Sequence, residues 1–309
     1  MNVGVDVGGS KVLAVALDGA GVLRAEARAA STVAPGDFLH LVETVVAQVT
    51  DGARPDAVGI GLPGLVDDTG TLRFSPHLPD LVGLPVGAAL AAAHPRSWVG
   101  NDATAAAWAE HRLGAAAGAT DSLTVTLGTG IGGGIVAGGR LLEGARRFAG
   151  EFGHVVVDPH GQLCPCGKQG CWERYASGSG LGLLGREAAV AGRAPRVVEA
   201  AGGDPEAVRG EHVTVAAAAG DPDALAVVDR FAWWLALGLA NLANVFDPEV
   251  IVLGGGVIVA GEVLLPPVRA AFAELVEAAG ARSVRIVGAA LGERAGAVGA
   301  ASLAAAPGH

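Results

Sequence analysis

Sulfur and aromatic side chains are scarce in this chain. It holds three cysteines, one methionine and one tyrosine in 309 residues, and aromatic residues make up 4%. Three cysteines cannot all pair, and so few argue against a disulfide-stapled secreted scaffold. Charge is also sparse, at 17% of residues, and the balance is −10 at pH 7. A surface of that sign is wrong for phosphate backbones, which argues against nucleic acid as the main partner. The opening residues MNVGVDVGGSK have no basic leader followed by an apolar core. With so few cysteines, a cytoplasmic protein is expected. No membrane span is expected either. The most apolar helical run, 231–246, is interrupted by Asn241 and Asn244 and falls short of the roughly 20 residues a span requires.

Hydrophobic residues supply 51% of the chain, and glycine occurs 49 times. That composition describes a compact, helix-rich soluble protein, long enough for two domains or one large one.

Residues 3–29 read as three short strands joined by glycine turns, an antiparallel meander. A helix with apolar residues at Phe38, Leu41, Val42, Val45, Val46 and Val49 follows. A buried strand over 56–62 ends in the loop Gly61–Gly64, and Asn101-Asp102 opens an alanine-rich helix. Residues 75–85 read as irregular. The strand, glycine turn, strand, glycine turn, strand pattern then returns over 122–143, which suggests a duplicated domain. Residues 191–212 read as a surface excursion with little bearing on function.

The cysteines crowd into CPCGKQGC at 164–171, with His154 upstream and Glu151 and Glu173 flanking. Thiolate and imidazole are the ligands zinc prefers, and structural zinc sites are closed sets of four. His154, Cys164, Cys166 and Cys171 make such a set, so a structural zinc ion is expected. A Cys-x-Cys pair is too close to bridge easily as a disulfide.

Three buried strands run into glycine, at Asp6-Val7-Gly8-Gly9-Ser10-Lys11, at Gly128-Thr129-Gly130 and at Gly254-Gly255-Gly256. Glycine lets a backbone approach a ligand and aim its N–H groups at an anion. Taken singly, each loop also reads as a tight turn. Together they suggest a phosphate clamp, although none is a P-loop or a dinucleotide fingerprint. Asp6 beside the first loop would repel phosphate unless a cation intervened, which suggests Mg²⁺. Asp102 reads either as a helix cap or as a general base.

These motifs jointly resemble the ROK group of sugar kinases and sugar-responsive repressors. The resemblance rests on DVGGSK at 6–11, Asn101-Asp102, LGTGIGGG at 127–134, the EFGH…CPCGKQGCWE stretch at 151–173 and LGGGV at 253–257. CWERYASG at 171–178 and DPEVIVLGGGV at 247–257 are most similar to zinc-containing bacterial glucokinases. The resemblance implies an α/β fold, a duplicated actin-like ATPase (ribonuclease H-like) architecture of two lobes with a cleft. The expected division is a small lobe over 1–112, completed by a closing helix over 293–309, and a large lobe over 113–292.

The resemblance further implies ATP- and Mg²⁺-dependent phosphorylation of a hexose at its 6-hydroxyl, with Asp102 as base. Gly64, Asn101, Asp102, Glu151, His154 and Glu173 are then the expected sugar contacts. Asp6, Gly8, Gly9, Ser10, Lys11, Thr129 and Gly130 are expected at the phosphates, and Gly254, Gly255 and Gly256 at the nucleoside. Glucose leads as substrate. N-acetylglucosamine, N-acetylmannosamine, mannose and fructose are the enzyme alternatives, and a non-catalytic sugar-sensing regulator is the alternative of another class. With the first strand read from residue 3, the amino-terminal helix-turn-helix of the repressor branch is not expected. Ser10 replaces the commoner threonine, and Ser75-Pro76-His77 stands where related glucokinases often carry Ala-Pro-Asn. That second departure bears on sugar preference. A homodimer or homotetramer is expected.

Overall fold

In the computed structural model, residues 1–31 and 34–306 are described. The expected closing helix reaches into 307–309, which lie outside them. The first half of the chain runs β1 (Asn2–Val7), β2 (Lys11–Leu17), β3 (Leu23–Ala30), α1 (Pro35–Thr50), β4 (Ala57–Leu62), β5 (Leu65–Val66), β6 (Leu72–Phe74), α2 (Val86–Ala93), β7 (Ser97–Asn101) and α3 (Asp102–Leu113). The second half runs β8 (Ser122–Leu127), β9 (Ile131–Ala137), β10 (Arg140–Leu141), α4 (Glu173–Ala176), α5 (Gly178–Val190), α6 (Pro195–Ala200), α7 (Gly210–Ala218), α8 (Pro222–Phe246), β11 (Val250–Gly254), α9 (Gly261–Leu275), β12 (Arg285–Gly288) and α10 (Ala295–Ala305).

Two five-stranded sheets carry the fold, in the orders β3-β2-β1-β4-β7 and β10-β9-β8-β11-β12. Strand for strand these are the same arrangement, which is the duplication expected from the repeated glycine-turn pattern. The first meander pairs antiparallel throughout, while β4 joins β1 in parallel and β7 joins β4 in parallel. Those parallel strands need crossovers, which α1 and α2 supply.

The chain divides into two compact units. One comprises residues 1–124, 133–150 and 290 onward; the other comprises 125–132 and 151–289.

In the first unit, glycine sets the approach of α10 to the sheet. A β-carbon on Gly4 would run into the Ala297 carbonyl oxygen, and one on Gly59 into that of Ala300. Gly299 of α10 meets the Ala105 carbonyl of α3 in the same way. The alanine- and glycine-rich composition of α10 is therefore a packing requirement. The other face of the sheet buries Val3, Val5, Val7, Ile60 and Leu62 with Phe38, Val42, Val45, Val46 and Val49 of α1. These include five of the six positions the helical period had singled out; Leu41 is partly buried against the same cluster.

In the second unit, α8 is the central helix. Asp221 caps it by accepting the Ala224 N–H, and its apolar face, including Phe231, Leu235, Leu239 and Leu242, is buried.

Several readings of the sequence are corrected. The region 191–212 is not a featureless excursion: Pro195 starts α6, a 3₁₀ turn covers Pro205–Ala207, and Ala194, Val197 and Val208 are buried. The expectation that no segment could span a membrane also fails on length and composition. Pro222–Phe246 and Gly256–Leu275 both pass that test. The first runs nine residues further upstream than the apolar run read from the sequence, and 56% of its most apolar window is buried in the structure. Such burial is ordinary for a core helix. The second contains the 3₁₀ turn Gly256–Ala260 and two internal prolines, Pro266 and Pro267. Finally, β5 and β6 form a hairpin after Gly64 that the sequence did not disclose. Gly64 has φ +119° there, and a β-carbon would collide with the Phe74 carbonyl.

Candidate functional site

The metal ligands come together as the spacing required. One ligand atom each from His154, Cys164, Cys166 and Cys171 lies within 4.8 Å of every other. Cys166 Sγ is 3.6 Å from Cys171 Sγ, and Cys164 Sγ is 3.9 Å from His154 Nδ1. A tetrahedral centre with Zn–S bonds of about 2.3 Å has edges of about 3.8 Å, so the donor set fits zinc. The remaining ring nitrogen, His154 Nε2, faces Glu151 Oε2 at 3.9 Å.

Local structure explains how the loop is held. Cys164 and Cys171 are buried, and the Cys164 N–H donates to the Lys168 carbonyl at 2.7 Å. Trp172 follows the last cysteine and is wholly enclosed against α8, where Gly238 leaves space for its indole. Its Nε1–H donates to the Trp234 carbonyl at 2.8 Å. Tyr175 stacks on Trp234 with ring centroids 4.3 Å apart, and its hydroxyl accepts the Gln162 N–H and donates to Asp158. The aromatic pair of CWERY thus anchors the metal loop to the central helix.

The same unit contains a cavity of about 880 Å³. The second and third glycine loops contribute Gly128, Thr129 and Gly256 to its wall. They are brought side by side by Gly255, whose φ of +86° seats it against the Leu127 backbone. Val215 and Val257 give apolar surface, while Arg174, Arg186 and Arg209 give positive charge. Arg186 donates to the Val208 carbonyl at 2.7 Å and Arg209 to Glu211 at 2.5 Å. Arg174 Nε is buried and has no hydrogen-bond partner among the described residues. Apolar walls beside arginines and glycine N–H groups suit a planar base carrying phosphates. Sequence reasoning missed all three arginines. Gly254 and Gly130 do not line this cavity; Gly130 lies instead against Glu173.

The first unit carries the acids. Asn101, not Asp102, caps α3: Asn101 Oδ1 accepts the Thr104 N–H at 2.8 Å. Asn101 Nδ2 donates to the Gly64 carbonyl at 3.0 Å, which ties those two expected sugar contacts together. Asp102 Oδ1 accepts the adjacent Ala103 N–H at 2.8 Å. Burial pushes the Asp102 carboxyl above its ordinary range, partly offset by backbone N–H groups and by neighbouring His77. Asp6, at the end of β1, lies across Gly61 from Asp102; a β-carbon there would be 3.2 Å from Asp102 Cα and 3.7 Å from Asp6 Oδ1. Burial and then the Asp102 charge raise Asp6 from 3.8 to about 7, against the opposing pull of Lys11.

Beside this pair, the first glycine loop closes tightly, Gly8 N–H donating to the Lys11 carbonyl at 2.8 Å. Ser10 is exposed, and Lys11 Nζ pairs with Glu293 at 2.9 Å. His77, of the Ser75-Pro76-His77 stretch noted above, stands over the loop, its Cβ 3.6 Å from where a β-carbon of Gly9 would be. Its place beside both Gly9 and Asp102 was not legible from sequence.

Comparison with known proteins agrees with this geometry. The ROK family model matches residues 2–306. The chain is 36% identical to a glucokinase of Streptomyces coelicolor over 322 residues, covering 99% of this chain and 98% of that protein. It is 35% identical to an N-acetylmannosamine kinase of Escherichia fergusonii, covering 82% of each. Among solved structures it resembles a ROK family glucokinase from Streptomyces griseus in complex with glucose and AMPPNP, with TM-score 0.85, 38% identity and 98% of both chains covered. The two matching five-stranded sheets are those of the actin-like ATPase fold. By its sheets, its His-Cys₃ zinc site and its end-to-end match, the chain belongs to the ROK family.

Proposed function

We propose that this chain transfers the γ-phosphoryl group of ATP to the 6-hydroxyl of glucose, giving glucose 6-phosphate and ADP. The observation that carries this reading is the division of labour at the head of α3. Asn101 caps the helix, and the adjacent Asp102, whose Oδ1 accepts the Ala103 N–H, is a carboxyl whose basicity burial raises. A general base needs that kind of environment, since its basicity must be raised toward neutrality.

In the proposed reaction, O6 of the sugar attacks the γ-phosphorus. The bond to the β–γ bridging oxygen breaks, its electron pair leaves with ADP, and the hydroxyl proton passes to Asp102. Phosphoryl transfer depends on positioning and charge neutralisation more than on covalent chemistry. Thr129 and the loop N–H groups, with Gly8 to Lys11, are assigned to the phosphates. Gly256, which lines the cavity, is assigned to the nucleoside, with Gly255 seating its loop on the Leu127 backbone. Mg²⁺ bound with ATP supplies neutralising charge, and Asp6 is the acid this chain offers beside the first loop. Asn101, Gly64, Glu151, His154 and Glu173 are assigned to the sugar. Carboxylates and an amide suit hydroxyl partners, and a site that bonds each hydroxyl rejects analogues lacking one. His154, Cys164, Cys166 and Cys171 would hold zinc as a set of four protein ligands, and the ion would then fix His154 and its flanking acids in place. The chain is assigned to the cytoplasm and to a homodimer or homotetramer.

A second reading is an N-acetylmannosamine kinase. Identity to that group is nearly as high, over a shorter span, and His77 departs from the glucokinase pattern. A steady-state panel of glucose, N-acetylglucosamine, N-acetylmannosamine, mannose and fructose with Mg-ATP separates the readings. Glucose is expected to give the highest kcat/KM, with ADP and a 6-phosphate as products. A higher value for N-acetylmannosamine selects the second reading. Saturable sugar binding without ADP release makes the chain a sensor and overturns both.

A further inference from the structure

Glu173 touches two structures at once. Its Oε1 lies 3.1 Å from Cys164 Sγ and 3.8 Å from His154 Nδ1, on the face of the zinc site. Its Oε2 lies 3.5 Å from the Ile131 amide nitrogen, on the loop that carries Thr129. A β-carbon at Gly130 would stand 2.7 Å from that same Oε2, so the loop is pressed against the carboxylate. Gly153, beside the zinc ligand His154, closes the junction from the other side. A β-carbon there would be 2.5 Å from the Ile131 carbonyl oxygen and 3.3 Å from Glu173 Cβ.

The backbone of Glu173 is fixed to the same loop. Ser177 Oγ donates to the Glu173 carbonyl at 2.6 Å, and the next residue, Gly178, donates its N–H to the Gly128 carbonyl at 2.8 Å. Gly128 N–H in turn donates to the Gly130 carbonyl at 3.0 Å. One end of the glycine loop is therefore held by the Ser177-Gly178 corner, and the other rests on the Glu173 side chain. That side chain has few places to go. Any shift of Oε1 as His154 and Cys164 draw onto a metal is a shift of Oε2 against Gly130 and Ile131.

We infer that Glu173 is a positioning residue that couples occupancy of the zinc site to the conformation of the loop Gly128–Ile131. Zinc then has a role beyond holding sugar contacts: it presets the backbone N–H groups and the Thr129 hydroxyl that border the cavity. The consequence for nucleotide binding rests on the kinase reading above; the coupling to the loop does not.

The test uses the full chain, with zinc bound and after removal by a chelator. Amide hydrogen exchange over residues 128–132 should slow when zinc is present in the wild type and be insensitive to zinc in Glu173→Ala. Calorimetric titration with Mg-ADP, without sugar, should show affinity falling on the order of tenfold when zinc is removed from the wild type. In Glu173→Ala the two states should bind Mg-ADP alike. Equal zinc dependence in both proteins, or no zinc dependence in the wild type, overturns the coupling. Should Glu173→Ala take up less than one zinc, Glu173→Asp, which keeps the charge and withdraws the carboxylate from Gly130 by one methylene, is read by the same criteria. Zinc-dependent exchange without any Mg-ADP binding keeps the coupling and rejects the nucleotide role instead.

Discussion

Asn101 Oδ1 accepts the Thr104 N–H at 2.8 Å as the cap of α3, while the adjacent Asp102 Oδ1 accepts the N–H of Ala103 at 2.8 Å. Two consecutive residues that both suit a cap are thus separated in role. Asn101→Ala removes the cap and the tether to Gly64 together. Loss of a cap alone costs about 1 kcal/mol. A fall of at least that size in denaturant-derived stability is expected, with KM for the sugar rising more than kcat falls, because Gly64 and Asn101 move but Asp102 remains. An unchanged midpoint with unchanged KM would remove Asn101 from both roles.

Asp6 and Asp102 share a pocket across Gly61, so their titrations are coupled. Asp6 holds its proton up to about pH 7 and so bears no charge against Asp102 at lower pH; Asp6→Asn should therefore leave the acid limb of the kcat–pH profile in place. Stability carries the signature of the Asp6 proton instead. Between roughly pH 4 and pH 7 the folded chain keeps a proton on Asp6 that the unfolded chain has released, so this site's contribution to stability declines as pH rises through that window. The Asn variant should lack that decline. Thermal midpoints of both proteins from pH 4 to pH 8 check it; parallel curves would contradict the raised Asp6 pKa.

Cys166 is exposed, whereas Cys164 and Cys171 are buried. Cys166→Ser therefore removes a zinc ligand with little effect on packing. Metal analysis is expected to fall from one zinc per chain to near none, and glucose affinity to weaken by about tenfold, since supporting groups around a metal site matter at that level. Full activity in wild-type protein shown to be free of zinc would contradict the role given to the metal.

Gly59 of β4 faces the Ala300 carbonyl of α10 with no space for a β-carbon. Gly59→Ala should destabilise the chain by about 1–3 kcal/mol through overpacking. Chemical denaturation measures it directly. A neutral result would mean that α10 adjusts its distance from the sheet, and with it the seat of Asp6 against Gly296.

What could be read in the sequence follows a physical pattern. The zinc ligands were legible because three rare thiols fall within eight residues and the metal fixes their chemistry. The duplication was legible because each meander turns on glycine. The cavity arginines were not legible. Arg174, Arg186 and Arg209 come from α4, α5 and the turn before α7, and nothing periodic links them. α6 was missed although Pro195 at its first turn is a helix-start signal, because the surrounding Ala, Gly and Arg residues mask an apolar face. The β5–β6 hairpin was missed because its two strands span five residues in all, too few for an alternation to show.

The central claim is that Asp102 takes the proton of the sugar hydroxyl. Asp102→Asn keeps the shape of the side chain and removes its basicity. Glucose binding by calorimetry and turnover with Mg-ATP, measured on the same preparation, test it most directly. Binding within about twofold of wild type, with kcat reduced by about 10²–10⁴, is the expected result. Undiminished kcat in the Asn variant would contradict the assignment of Asp102 as the base.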